Sequence, residues 1–106
     1  MAFHVTHRYG AMDSNPPLSM LPDLLRELDD RPEDTEHGSV ALTHESEWCI
    51  AVMRGGYVIL DHLESDAGGE RHMRDVPEVR IIDLWTLLAH GDIATIESQP
   101  WRPGYK

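Results

Sequence analysis

The sequence predicts an α+β domain: an antiparallel sheet of about four strands in the order β-α-β-β-β-α, with a short final helix and the helices packed on one face. Three observations predict it. Residues 39–63 hold three β-rich runs in succession, Ser39-Val-Ala-Leu-Thr-His-Glu45, Trp48-Cys-Ile-Ala-Val-Met53 and Tyr57-Val-Ile-Leu-Asp-His-Leu63. The last two are joined by Arg54-Gly55-Gly56-Tyr57, and a Gly-Gly pair between such runs signals a hairpin because both glycines can take positive φ. Two segments flanking this meander, 20–30 and 77–90, carry apolar residues at the spacing of an amphipathic helix.

Taken in order, Phe3, Val5, His7 and Tyr9 alternate with His4, Thr6 and Arg8, the period-2 pattern of a half-buried strand. Residues 10–17 read as loop, since Pro16-Pro17 disfavours helix before it. Ser19 is the expected N-cap of the first helix, whose face is Leu21, Leu24, Leu25 and Leu28; Pro22 falls in the first turn, where its missing donor has no helical partner. The acidic stretch 29–38, broken by Pro32, is a connection, and 64–69 is a second polar loop. The longest helix is expected from Pro77 to His90, opened by a capping box between Asp75 and Glu78. Its core face is Val79, Ile82, Trp85, Leu88 and Ala89, widened by Ile81 and Leu84. Gly91 should end it, and Asp92 should cap a short helix through Ile93 and Ile96. The tail from Gln99 is too proline-rich for helix or central strand, and its Arg102-Pro103-Gly104 turn should lay Trp101 and Tyr105 on the body.

With two-residue turns at Ser46-Glu47 and Gly55-Gly56, one face of the meander collects Val40, Leu42, Cys49, Ala51, Met53, Val58 and Leu60, which becomes the expected core. The other face then carries Trp48, Ile50, Ile59 and Leu63, too apolar for an ordinary wet surface. The tail, a second copy of the chain or another partner could cover it, and a homodimer through these four residues is one expectation.

The length of 106 residues suits one domain, and no apolar run approaches the roughly 20 residues of a membrane span. The N-terminus turns polar at once and the single Cys49 cannot form an internal disulfide, so a cytoplasmic address is expected. Nine Lys and Arg against nineteen Asp and Glu give a net charge of −10, with Lys106 the only lysine. That balance argues against nucleic acid as a direct ligand and suits a basic protein partner, to which it adds long-range steering.

Candidate chemistry is sparse. In the expected register His44, Cys49 and His62 line up across three strands, and imidazole and thiolate are zinc ligands, so a small metal protein or enzyme is the alternative reading. The spacing lacks any Cys-x-x-Cys or His-x-x-x-His pattern, and a thiol between Trp48 and Ile50 fits a buried, inert side chain. His4 and His7 fall on opposite faces, Glu45 and Glu47 are separated by a turn, and the glycine pairs at 55–56 and 68–69 are turn glycines rather than a phosphate cradle. No catalytic residue and no cofactor are therefore expected. Arg71-His72-Met73-Arg74 is the most basic patch and precedes a helix start that could attract an anion, though Arg71 and Arg74 are expected to pair with Glu64, Asp66 or Asp75.

Thr43-His-Glu-Ser-Glu-Trp48, Arg71-His-Met73 with Leu84-Trp85 and Gly91-Asp92, and Pro100-Trp-Arg-Pro-Gly-Tyr105 together resemble a group of short, uncharacterised bacterial proteins. These are similar in size and acidity to immunity proteins of polymorphic toxin systems. The resemblance spans roughly residues 39–105 and leaves out the first strand and helix. Its motifs are structural, so no active-site residue carries over. What it implies is a non-enzymatic inhibitor that occludes a basic toxin, and the acidic stretches point to Glu33, Asp34, Glu36, Glu64 and Asp66 as the contact residues.

Overall fold

The computed structural model describes residues 3–8, 10–29, 38–62 and 71–103. Its centre is an antiparallel sheet built from β1 (Phe3–Thr6), β2 (Met12–Ser14), β3 (Ser39–His44), β4 (Trp48–Met53), β5 (Tyr57–His62), β6 (Arg71–Met73) and β7 (Arg102–Pro103), in the order β2-β1-β3-β4-β5-β6-β7. Six of these have three residues or more, and the two-residue β7 forms one edge. The helices are α1 (Leu21–Arg26), extended on both sides by 3₁₀ turns, α2 (Glu78–Ala89) and α3 (Ile93–Glu97). The fold is α+β with an antiparallel sheet, but the sheet is wider than four strands. The additions, β2, β6 and β7, lack an alternating apolar pattern; backbone pairing to a neighbour makes them strands. Pro103 is tolerated because an edge position needs no second ladder donor.

The register corrects the expected turns. Strands β3 and β4 pair Leu42 with Ile50 and Thr43 with Cys49, leaving Glu45–Glu47 as a three-residue loop with Glu47 at φ 73°. Strands β4 and β5 pair Met53 with Tyr57, so their loop is Arg54–Gly56, with Gly55 and Gly56 at φ 90° and 78°. Each hairpin thus slips by one residue, and a one-residue slip reverses faces. Because the two slips cancel, β3 and β5 keep their expected faces and only β4 is inverted.

The helix-covered face therefore carries a row of Val5, Leu42, Ile50 and Leu60 and a row of Val40, Val52, Val58 and Met73, all in the core. Cys49, Ala51 and Met53, expected there, point the other way. Helix α2 lies across β3 and β4, and its fully buried Trp85 donates its indole N–H to the Ile50 carbonyl at 3.0 Å. An indole buried with its N–H satisfied adds apolar burial without the cost of an orphan donor.

Helix α2 buries Ile81, Leu84, Trp85 and Leu88, spaced i, i+3, i+4, i+7. Val79 falls outside that stripe and is 70% exposed, contrary to expectation. The capping box is absent too: Pro77 is the N-cap with no side-chain bond, and Asp75 takes φ 55°. Ser19 likewise caps nothing; it sits in the 3₁₀ turn before α1, whose Leu21 and Leu24 are buried. Gly91 ends α2 at φ 75° and the Asp92 side chain accepts from the Thr95 amide, both as the sequence predicts. Trp101 packs on the helix side of the core and donates its indole N–H to the Ile96 carbonyl at 2.7 Å, while Tyr105 lies outside the described residues.

Candidate functional site

The inversion of β4 decides the fate of the sequence-derived cluster. His44 and His62 lie on the helix-covered face, where Trp48, paired with His62, occupies the place expected of Cys49. Trp48 and His62 meet edge to face with ring centroids 5.0 Å apart, and Arg71 lies over the Trp48 ring at 5.8 Å. Cys49 is on the opposite face beside Asp61 and Thr43. No group of three or more His, Cys, Asp or Glu capable of holding a metal occurs among the described residues.

The individual groups are engaged structurally. His44 is buried at the end of β3, and its Nδ1 accepts the Ser46 amide at 3.1 Å and lies 2.8 Å from the Ser46 hydroxyl. With Nδ1 accepting, the ring proton belongs on Nε2, which has no partner among the described residues. Burial pushes the Cys49 thiol above its usual pKa, partly offset by a hydrogen bond with Thr43, while Asp61 adds to the rise. A thiol held in that state is a poor nucleophile. Arg71 pairs with Glu97 at 3.1 Å and Arg74 lies over the Tyr57 ring; of the acids expected to pair with them, Glu64 and Asp66 lie outside the described residues.

The four residues expected to form a self-association surface do not share one. Trp48 and Ile50 face the helices, with Ile50 fully buried, whereas Ile59 is on the other face and 4% exposed; Leu63 lies outside the described residues. The face away from the helices instead carries Ala41, Thr43, Cys49, Ala51 and Met53, and Tyr57 stacked on His72 with centroids 5.6 Å apart. The five expected partner-binding acids, Glu33, Asp34, Glu36, Glu64 and Asp66, also lie outside the described residues.

One charged network escaped the sequence reading. The His7 ring sits between two carboxylates, Nε2 at 2.6 Å from Asp13 and Nδ1 at 2.6 Å from Glu27. Carboxylates only accept, so both ring nitrogens donate and the imidazole is held protonated. The hydrogen bond to Asp13 raises its pKa most and that to Glu27 next, against a smaller loss from burial. Glu27 also accepts the Arg8 amide at 3.0 Å, and the buried Arg8 guanidinium donates to the Glu27 and Leu28 carbonyls. The network needs the β1–β2 turn and the end of α1 brought together, which no local pattern announces.

Comparison with protein-family models, with curated proteins and with solved structures gives no match. No helix among the described residues is long and apolar enough to cross a membrane.

Proposed function

We propose that this chain is a non-enzymatic binding domain that acts by occlusion, an immunity-type inhibitor whose acidic surface meets a basic protein partner such as a toxin. The observation that supports the reading is where charge is left over. Among the described residues Arg26, Arg54 and Arg71 are ion-paired within the chain and Arg74, Arg80 and Arg102 are gathered in one cleft, whereas Glu45, Glu47, Asp61, Glu78 and Asp83 have no basic partner. With a net charge of −10, the unpaired carboxylates give the surface a negative field able to steer a cationic protein. Glu33, Asp34, Glu36, Glu64 and Asp66 would add to that field at the contact.

The protein encoded by the neighbouring gene is the first partner to test. Expected are rescue of cells from that protein's toxicity and an association rate that falls as salt shortens the screening length from about 10 Å at 0.1 M to about 3 Å at 1 M. Binding that survives neutralisation of all five acids, or a neighbour that is neither basic nor toxic, would sink the proposal.

A further inference from the structure

Three of the nine basic side chains of this acidic protein line one cavity. The cleft is open to solvent and measures about 400 Å³ between the segment Met73 to Pro77, Arg80 in the first turn of α2, and Pro100 and Arg102 of the C-terminal segment. That volume falls within the roughly 300–1,000 Å³ of small-molecule sites. Its arginines are Arg74, Arg80 and Arg102, and among the described residues none is ion-paired. Arg74 lies 5.8 Å over the Tyr57 ring, and Arg80 donates to the Gln99 side-chain oxygen. Both contacts orient a guanidinium group without cancelling its charge. The three exposed cations share this lining with one carboxylate, Asp75, among the described residues, which leaves the cleft with a net positive charge. The start of α2, with Pro77 in the same wall and no side-chain cap, adds positive potential.

We propose that this cleft binds a small phosphorylated molecule, its phosphate held by Arg74, Arg80 and Arg102 and its apolar body resting on Met73, Val76 and Pro100. A guanidinium fork matches phosphate oxygens in pairs, and a dianionic tetrahedral group presents enough oxygens for three such forks, where a carboxylate has two oxygens and one charge. A nucleic-acid strand does not suit a chain of net charge −10, whereas a small anion meets only the local field. The site is separate from the acidic surface invoked for a protein partner, and either can stand without the other.

Calorimetric titration of the full chain at low salt with phenyl phosphate, and with benzoate as the carboxylate comparator, tests the assignment. Saturable one-to-one binding of phenyl phosphate is expected, with benzoate weaker by about tenfold or more, the scale of one charged hydrogen bond. Arg80→Gln and Arg102→Gln should each weaken it by about tenfold, and Arg26→Gln, on an ion-paired arginine outside the cleft lining, should leave it unchanged. Asp75→Asn should tighten binding, since it removes the opposing charge at a left-handed position that asparagine adopts readily. A gain of affinity cannot arise from a misfolded variant, so this substitution keeps the test decisive even if an arginine replacement unfolds the chain. Absence of saturation, equal affinity for phenyl phosphate and benzoate, or equal loss from Arg26→Gln and Arg102→Gln would overturn the proposal.

Discussion

Around His7 and Arg8, the basic groups meet carboxylates or carbonyls; around Arg74, Arg80 and Arg102, none meets a carboxylate among the described residues. The first region is closed by the groups it brings together, with Glu27 accepting both from the His7 ring and from the Arg8 amide. The second is shaped by backbone. Gly56 lies so close to Val76 that an added Cβ would stand 2.7 Å from the Val76 carbonyl oxygen, and the Val76 amide donates to the Gly56 carbonyl at 3.0 Å. A satisfied charge cluster contributes to folding, while an unsatisfied one held in place by shape is available to a ligand.

The largest effect should come from the backbone contact that shapes the cleft. Gly56→Ala is expected to cost about 3 kcal/mol or more, because the left-handed penalty of roughly 1–2 kcal/mol is joined by a clash with backbone. Gly55→Ala, at φ 90° with nothing within 4 Å of its added Cβ, should lose only the conformational part. Equal denaturation midpoints for the two variants would show that the cleft wall is not held by shape.

Next comes Glu27→Ala, which strips the His7 ring and the Arg8 amide of an acceptor and should cost about 2–3 kcal/mol in urea unfolding. A loss below about 0.5 kcal/mol would place this network with ordinary surface charge.

A smaller effect is expected from pH. The folded pKa of His7 is raised above its ordinary value of 6.5, so its contribution is fully present below that value and is lost as pH rises through the folded pKa. Stability should therefore decline as pH rises above 6.5 through the folded pKa, and His7→Gln should remove that part of the slope. An unchanged slope in the variant would assign the pH dependence elsewhere.

The smallest effect belongs to Arg102→Gln, which should leave unfolding free energy within about 0.5 kcal/mol of the parent, since the exposed side chain has no ion pair among the described residues. A substantial loss would mean that the cleft arginines, too, contribute to folding.

The strands of the meander and the helices were legible because their apolar residues repeat with the period of the element that buries them. Loop length was not. Gly55-Gly56 correctly announces positive φ, but the loop also takes in Arg54, and Glu47 adopts a left-handed conformation that its residue type does not advertise. From the one residue that the first loop gains, Glu45, followed the inverted β4 and the false line of His44, Cys49 and His62. Strands β2, β6 and β7 exist through their neighbours' backbone, leaving little side-chain signal to read. The basic patch at Arg71–Arg74 was visible, but that Arg71 finds Glu97 while Arg74 shares a cleft with Arg80 and Arg102 depends on residues up to 28 positions away, from Arg74 to Arg102.

Among the described residues the sheet's two outermost strands are three and two residues long, and one of them includes Pro103. Such short margins offer little template for a strand from another molecule, and a proline there withholds a donor. The stretch best suited to cross-β stacking is Trp48–Met53, uncharged and free of proline, and it runs through the middle of the sheet with both neighbours in place. Fibril formation should accordingly require global opening rather than edge-to-edge growth. Its lag time in concentrated solution should then follow the unfolding rate, shortening in Gly56→Ala and hardly changing in Arg102→Gln.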